Sequence, residues 1–195
     1  MLSSFHRLQN TARGYSLTQV LGGPTIRRYR ALVGEGVPQD ASRRILEIGC
    51  GVGSARELFG SDYTGIDVNP DYIERASRRL SGRFLVMDAA AMSFEPNSFD
   101  DAVSIATAHH LSDNQLSSMI RKALVVAKCL HIIDAILPVA SFSPFKTMLF
   151  RMDRGQHVRT YEQLRKIVSE NARLESHRVM EGPLHDVCYL RASRL

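Results

Sequence analysis

The run "ILEIGCGVG" (45–53) puts glycines at 49, 51 and 53, every second position, directly behind an apolar segment. Glycine loses more conformational freedom on folding than any other residue, so this spacing costs stability unless the backbone path requires it. The segment ahead of it, 43–49, is short and apolar and reads as a strand. The segment behind it, "SARELFG", has helical character and stops at Gly60. A strand that passes through a glycine turn into a helical run is the opening unit of an alternating α/β sheet.

The alternation continues. Strands are predicted at 63–68, 83–89, 101–107 and 129–137. Asn69 caps a helix with Pro70 at its first position, and Ser112 or Asp113 opens the next, which runs towards "IRKALVVA". Thr160 and Gln163 form a capping box for "YEQLRKIVSE". Two last runs, "SHRVMEG" and "DVCYLRASR", are joined by a link too short for a crossover and must be antiparallel. Five βα-type strands followed by a hairpin give a doubly wound α/β sheet with an antiparallel strand near one edge. With 195 residues, 44% of them hydrophobic, the chain suits one domain, 1–195.

Composition narrows the classes further. Lys and Arg number 25 against 20 acids, mostly as arginine, and the net charge is +5. That excess is modest and reads as scattered solvated charge, which argues against a nucleic-acid surface. The three cysteines, Cys50, Cys129 and Cys188, are too far apart for a zinc motif or a disulfide framework and fit a reducing, cytoplasmic setting. The apolar stretch 123–142 is broken by Lys128, His131 and Asp134 and closed by Pro138, so it reads as a helix end and a buried strand, with no membrane span. No acid precedes Glu35, while Arg7, Arg13, Arg27, Arg28 and Arg30 do. That bias is shared with transit peptides, but "YRALV" runs almost into the first strand, so 1–42 is read as an N-terminal helical lid broken at Gly22, Gly23 and Pro24.

In doubly wound sheets ligands bind beyond the carboxyl ends of the strands. The glycine order here is G-x-G-x-G, and Ser54 stands where the dinucleotide fingerprint has its third glycine. Glu47, two residues before the first glycine, suits a cationic amino group better than a pyrophosphate. Asp67 ends the second strand, where an acid accepts from both hydroxyls of a ribose. Asp88 ends the third, where it can accept from an adenine amino group while the Ala89 amide faces the ring.

With "ILEIGCGVG", "YTGIDVNPDYIERA", "FLVMDAAAMSFEPNSFDDAVSIATAHHLSD" and "CLHIIDAILP" in these positions, the chain resembles the class I S-adenosylmethionine-dependent methyltransferases, of the small-molecule, methyltransferase type 11 kind. The resemblance covers 43–137 well. It implies a Rossmann-like seven-stranded sheet ordered 3-2-1-4-5-7-6 with strand 7 antiparallel. It also implies that Glu47 and the turn Gly49, Cys50, Gly51 and Gly53 hold the methionine part of S-adenosylmethionine. Asp67 and Val68 would take the ribose side, Asp88 and Ala89 the adenine, and Ala106 would lie beside the cofactor. Tyr15 is a candidate for the cofactor carboxylate. The product would be S-adenosylhomocysteine.

Methyl transfer from a sulfonium is an in-line displacement that depends chiefly on positioning, and a base is needed only where the acceptor must lose a proton. His109 and His110, behind the fourth strand, are the candidate bases and are not ranked by sequence. The connector 138–159 is long enough for a substrate-side lid, with Phe142, Phe145 and Met148 as apolar lining and Arg151, Arg154 and His157 as a basic edge. Asp134 and Asp113, the latter read as a helix cap, are too few for a magnesium site, so no metal is expected. The alternatives are an RNA or protein methyltransferase and a fold member that binds the cofactor without transferring methyl. Against the former, "ATAHH" replaces the Asn/Asp-Pro-Pro-Tyr-type tetrapeptide of many base-amino methyltransferases.

Overall fold

The computed structural model describes residues 23–38, 40–137, 156–182 and 186–195. Seven strands form one sheet: β1 (Ile45–Ile48), β2 (Tyr63–Asp67), β3 (Arg83–Val86), β4 (Phe99–Ile105), β5 (Ala127–Ile136), β6 (Arg173–Met180) and β7 (Asp186–Ser193). Their order is β3-β2-β1-β4-β5-β7-β6. The first five are mutually parallel, and β7 runs antiparallel to both β5 and β6. The hairpin and the implied order are as expected.

Among the described residues, four α-helices cover the sheet: α1 (Gly23–Gly36), α2 (Pro70–Arg79), α3 (Asp113–Val126) and α4 (Tyr161–Asn171). Alternating side chains of the central strands feed two cores. On one face Ile45, Val103, Ile133 and Val187 pack against Leu32 and Val33 of α1 and Ile73 and Ala76 of α2. On the other Leu46, Ile48, Leu130, Ile132 and Leu190 pack against Leu116 and Ile120 of α3 and Leu164 and Val168 of α4. Among the described residues, no helix is long and apolar enough to cross a membrane.

The helix starts are chemical. Asn69 accepts from the Asp71 amide with Pro70 at the first position, and Ser112/Gln115 and Thr160/Gln163 form two complete capping boxes. Ser112 is therefore the cap of α3, and Asp113 is not. Instead Asp113 accepts from Arg159 Nε and a terminal nitrogen at 3.0 and 2.6 Å.

Strand β4 lies two residues earlier than expected and β6 begins three residues earlier, and three further differences have local causes. The run after the glycine turn makes only a 3₁₀ turn, Arg56–Leu58. Between Gly53 and Gly60 there is too little chain to nucleate an α-helix, and the buried Arg56 instead donates to the Ser81 and Phe59 carbonyls at 2.5 and 2.9 Å. Strand β3 ends at Val86, because Asp88 Oδ1 accepts from the Ala90 amide at 2.8 Å and starts a 3₁₀ turn at Ala89. Strand β5 begins at Ala127, because α3 enters it with no intervening loop. The first 22 residues, Tyr15 among them, lie outside the described chain. The described part of the expected N-terminal lid, α1, is a built-in layer of the core: Leu32 and Val33 are 1% and 0% exposed.

The inner strands should carry the stability. Leu130→Ala, at a fully buried position of β5, is expected to cost about 2–5 kcal/mol in urea unfolding. Val125→Ala, on the outer face of α3 at 45% exposure, should stay within about 0.5 kcal/mol of wild type.

Candidate active site

The turn after β1 is built from left-handed glycines: φ is +73° at Gly49, +55° at Gly51 and +77° at Gly53. At Gly49 a Cβ would stand 2.3 Å from Thr107 Oγ1, so the turn and the loop after β4 are in van der Waals contact only because no side chain intervenes. The amides of Gly49 and Cys50 both donate to the Ile66 carbonyl at 2.8 and 2.9 Å. The Gly51 amide donates to Asp67 Oδ2 at 2.9 Å, and Asp67 Oδ1 accepts from the Asn69 amide at 2.9 Å. The turn is thus clamped onto the end of β2, and Asp67 is held at its rim.

Beside the turn opens a cleft of about 500 Å³, counting its open mouth, with Glu47, Gly49, Cys50 and Ala106 in its wall. Sequence reasoning placed these four, and it missed Tyr29, Arg30 and Val33, with which α1 closes one side, and Ser54, Ala55 and Leu58 on the other. Arg30 forms an ion pair with Glu57. Tyr29 and Arg30 were legible only as members of an arginine-rich segment, because nothing in "RRYR" says which side chain faces inward.

Glu47 lies at the base of the cleft and is 3% exposed. Tyr63 Oη donates to its Oε2 at 2.5 Å. Gly65, which pairs with Glu47 in register, makes this possible: a Cβ there would lie 2.8 Å from Tyr63 Oη. Arg56 caps the Tyr63 ring at 4.8 Å from its centroid. Burial pushes the Glu47 carboxyl up to about 7, despite the Tyr63 hydrogen bond that favours the anion. Burial also raises Asp67, against the pull of the Asn69 and Gly51 amides. Among the described residues no cation bonds directly to the Glu47 carboxyl. The Tyr63–Glu47 link crosses from β2 to β1 and depends on the register that pairs Glu47 with Gly65, which no local sequence pattern reports.

Asp88 is exposed at the end of β3 and next to it stands half-buried Ala89. Val68 and Val86, after β2 and at the end of β3, are 70% and 55% exposed. Ala106 adopts φ +51°, and its amide donates to the Ile133 carbonyl at 2.8 Å. This strained position turns the chain after β4 into the 3₁₀ turn Ala108–His110.

The structure separates the two histidines. His109 is buried, and His110 is exposed. His109 Nδ1 lies 2.5 Å from Asp134 Oδ1, and the His109 amide donates to Asp134 Oδ2 at 3.0 Å. The carboxylate fixes Nδ1 as the protonated nitrogen of the neutral ring and leaves Nε2 as its basic atom. The His157 amide donates to the His109 carbonyl at 3.0 Å. Phe142, Phe145, Met148, Arg151 and Arg154 lie outside the described residues. Asp134 and Asp113 bind different partners, His109 and Arg159, and do not converge. Among the described residues, one trio of ligand-type side chains does come together, Asp101, Cys129 and His131, at the other edge of the sheet.

Residues 45–129 match the family described as "Methyltransferase domain". The chain is 34% identical over 77 residues to the 2-methyl-6-phytyl-1,4-hydroquinone methyltransferase of Synechocystis, a match spanning 35% of this chain and 24% of that protein. The first curated relatives it matches are covered over 24% to 40% of their own length. The fold is similar to that of phosphoethanolamine N-methyltransferase 2 of Haemonchus contortus, solved with phosphomonomethylethanolamine and S-adenosylhomocysteine. That likeness has a TM-score of 0.73 at 17% identity and covers 100% of this chain and 60% of the other. It is also similar to the [4+2]-cyclase SpnF, with a TM-score of 0.70 at 19% identity over 86% of this chain and 80% of the other.

Glu47 should leave a pH signature in the ligand-free protein. Between about 4.5, its ordinary value, and about 7 the folded state keeps a proton that the unfolded chain has lost. The contribution of Glu47 to stability therefore falls as pH rises through that window and is level above it. Relative to wild type, Glu47→Gln should gain stability from pH 4.5 to 7, by on the order of 3 kcal/mol at most, as followed by denaturant melts. A constant difference across the window would show that Glu47 ionises normally.

Proposed function

We propose, on the premise that residues 45–129 belong to the methyltransferase-domain family and that the sheet has the class I order, that this chain methylates a small-molecule acceptor with S-adenosylmethionine. The observation that carries the reading is the glycine turn with a buried, uncompensated Glu47 on one side and Asp67 on the other. When bound, the cofactor supplies an electrophilic methyl group on a sulfonium.

Glu47 binds the amino group of the methionine part and gives up its proton in doing so. Arg30, a cation lining the same cleft, takes the carboxylate, a role also open to Tyr15. Asp67 accepts from the ribose hydroxyls. Val68 and Val86 offer exposed apolar surface beside Asp88 and Ala89, which suits the flat adenine. Ala106, small and fixed, leaves room beside the cofactor. His109, oriented by Asp134, is the base where the acceptor must lose a proton, in preference to His110. Segment 138–159, with Phe142, Phe145, Met148, Arg151, Arg154 and His157, forms the substrate side, and no metal takes part. The chain 1–195 acts as one domain in a reducing, cytoplasmic setting, in keeping with its three free thiols.

The small-molecule reading is supported by the hydroquinone and phosphoethanolamine enzymes to which the chain is similar. The likeness to a cyclase favours one second reading, a non-methylating catalyst on the same fold. Mass spectrometry separates them: with S-adenosylmethionine and a panel of small acceptors, S-adenosylhomocysteine should accumulate with a methylated product. Conversion of a substrate with the cofactor unchanged would establish the second reading. Salt-sensitive retention of RNA would instead point to a nucleic-acid substrate.

Two variants test the roles. Asp67→Ala should weaken S-adenosylhomocysteine binding about 10- to 100-fold by calorimetry, since a hydrogen bond to a charged group contributes about 1.5–3 kcal/mol. His109→Gln should leave that affinity within about twofold and lower turnover of a proton-losing acceptor by about 10²-fold or more. Calorimetry at pH 6.5 in buffers of different ionisation enthalpy should also show proton release on binding. Its absence would place the amino group away from Glu47.

A further inference from the structure

The edge of the sheet where the parallel strands begin carries a second group of reactive side chains that the cleft does not use. Asp101 of β4 and Cys129 of β5 pair in register, and His131 follows two residues later. Their carboxylate oxygen, sulfur and ring nitrogen lie within 4.8 Å of one another, and all three residues are buried. From β7, Tyr189 and Arg191 reach the same place: Tyr189 Oη lies 3.0 Å from His131 Nδ1, and Arg191 Nε donates to Cys129 Sγ at 3.2 Å.

The protons can be assigned by donor and acceptor capacity. Tyr189 Oη donates its one proton to the Gly36 carbonyl at 2.9 Å. Towards His131 it can therefore only accept, so Nδ1 carries a hydrogen. Nε2 faces Asp101 Oδ1 at 3.0 Å, and Asp101 Oδ2 accepts from Arg43 Nε at 2.5 Å. A carboxylate bound to a guanidinium is an acceptor, so Nε2 carries a hydrogen too. His131 is a buried imidazolium. Burial opposes this, and the contacts to Asp101 and Cys129 outweigh it and raise the imidazole pKa.

The charges facing this cluster are then Arg43 before β1, Asp101 on β4, His131 on β5, Arg191 on β7 and Glu175 on β6, which pairs with Arg191 at 3.2 Å. In direct side-chain contact, three cations meet two anions; Asp100 and Asp40 also act on Arg43 from outside these contacts, and Asp100 is paired with Arg44 and Lys128. A third anion at Cys129, in contact with Arg191, balances them. A divalent cation in the same place would enlarge the positive excess.

We propose that Cys129 stands as a thiolate in this cluster and is a modification site for small neutral electrophiles, of which hydrogen peroxide is the simplest. Burial pushes the thiol up, and His131 and Arg191 outweigh it and hold it below the ordinary value. Cys50 and Cys188, buried without a cation in contact, are pushed well up and remain thiols. Access is through long side chains: Cys129 is 7% exposed, Arg191 beside it is 43% exposed, and Arg43 on Asp101 is 29% exposed. In the reaction the sulfur attacks one peroxide oxygen, the S–O bond forms as the O–O bond breaks, and the leaving hydroxide takes a proton from solvent. The products are a sulfenic acid and water.

Two measurements on the full chain test this. The absorbance at 240 nm, titrated in wild type and Cys129→Ser, should differ by one thiolate with a midpoint below the free-thiol value of about 8.5. Arg191→Gln should move that midpoint upwards. A midpoint at or above about 8.5 in wild type overturns the proposal, whatever the accessibility of the sulfur. Dilute peroxide with dimedone, read by peptide mass spectrometry, should label Cys129 about tenfold or more over Cys50 and Cys188. Equal labelling, or none at Cys129, overturns the modification site.

Discussion

One carbonyl oxygen organises the cleft. Ile66 O accepts from both Gly49 N and Cys50 N, which draws the chain after β1 back onto the end of β2. Only a left-handed residue at 49 allows this path, and only the absence of a Cβ there lets Thr107 approach. Fixing the turn on β2 brings Asp67 to the Gly51 amide and leaves Glu47 beneath the turn. The neighbouring wall, Ile105 and Ala106, follows from the register of β4 against β1. The cleft is thus a consequence of backbone geometry before any side chain acts.

Buried charge is handled in opposite ways around the molecule. Asp134 spends both oxygens on His109, and Asp101 is held between Arg43 and His131. Among the described residues Glu47 has only a phenol as a direct partner, and burial raises its pKa. A buried ionisable group left unpaired costs stability, and such groups are retained where a ligand completes them. By that criterion Glu47 is the residue on which the proposed binding site rests, whereas Asp101 belongs to a self-contained network.

Much of this was legible in the sequence, for definable reasons. The order of strands followed from apolar runs and caps whose chemistry is local, such as Asn69–Pro70 and Ser112/Gln115. The Glu47, glycine and Asp67 constellation was legible because it lies in contiguous strand ends. The ranking of His109 over His110 was not, since it depends on Asp134, 25 residues further on in β5. Arg30 and Tyr29 were missed because helix orientation is set by where Leu32 and Val33 are buried. The 3₁₀ turn at Arg56 replaced a helix because that arginine is satisfied by the Ser81 carbonyl from a distant loop and the nearby Phe59 carbonyl. The cluster at Cys129 unites residues from four strands and the segment before β1, which no local pattern reports.

The most direct measurement is a crystal structure of the chain with S-adenosylhomocysteine. The amino group is expected against Glu47, the ribose hydroxyls on Asp67 and the adenine between the ends of β2 and β3. Ligand bound elsewhere, or a cleft that stays empty at saturating ligand, would contradict it.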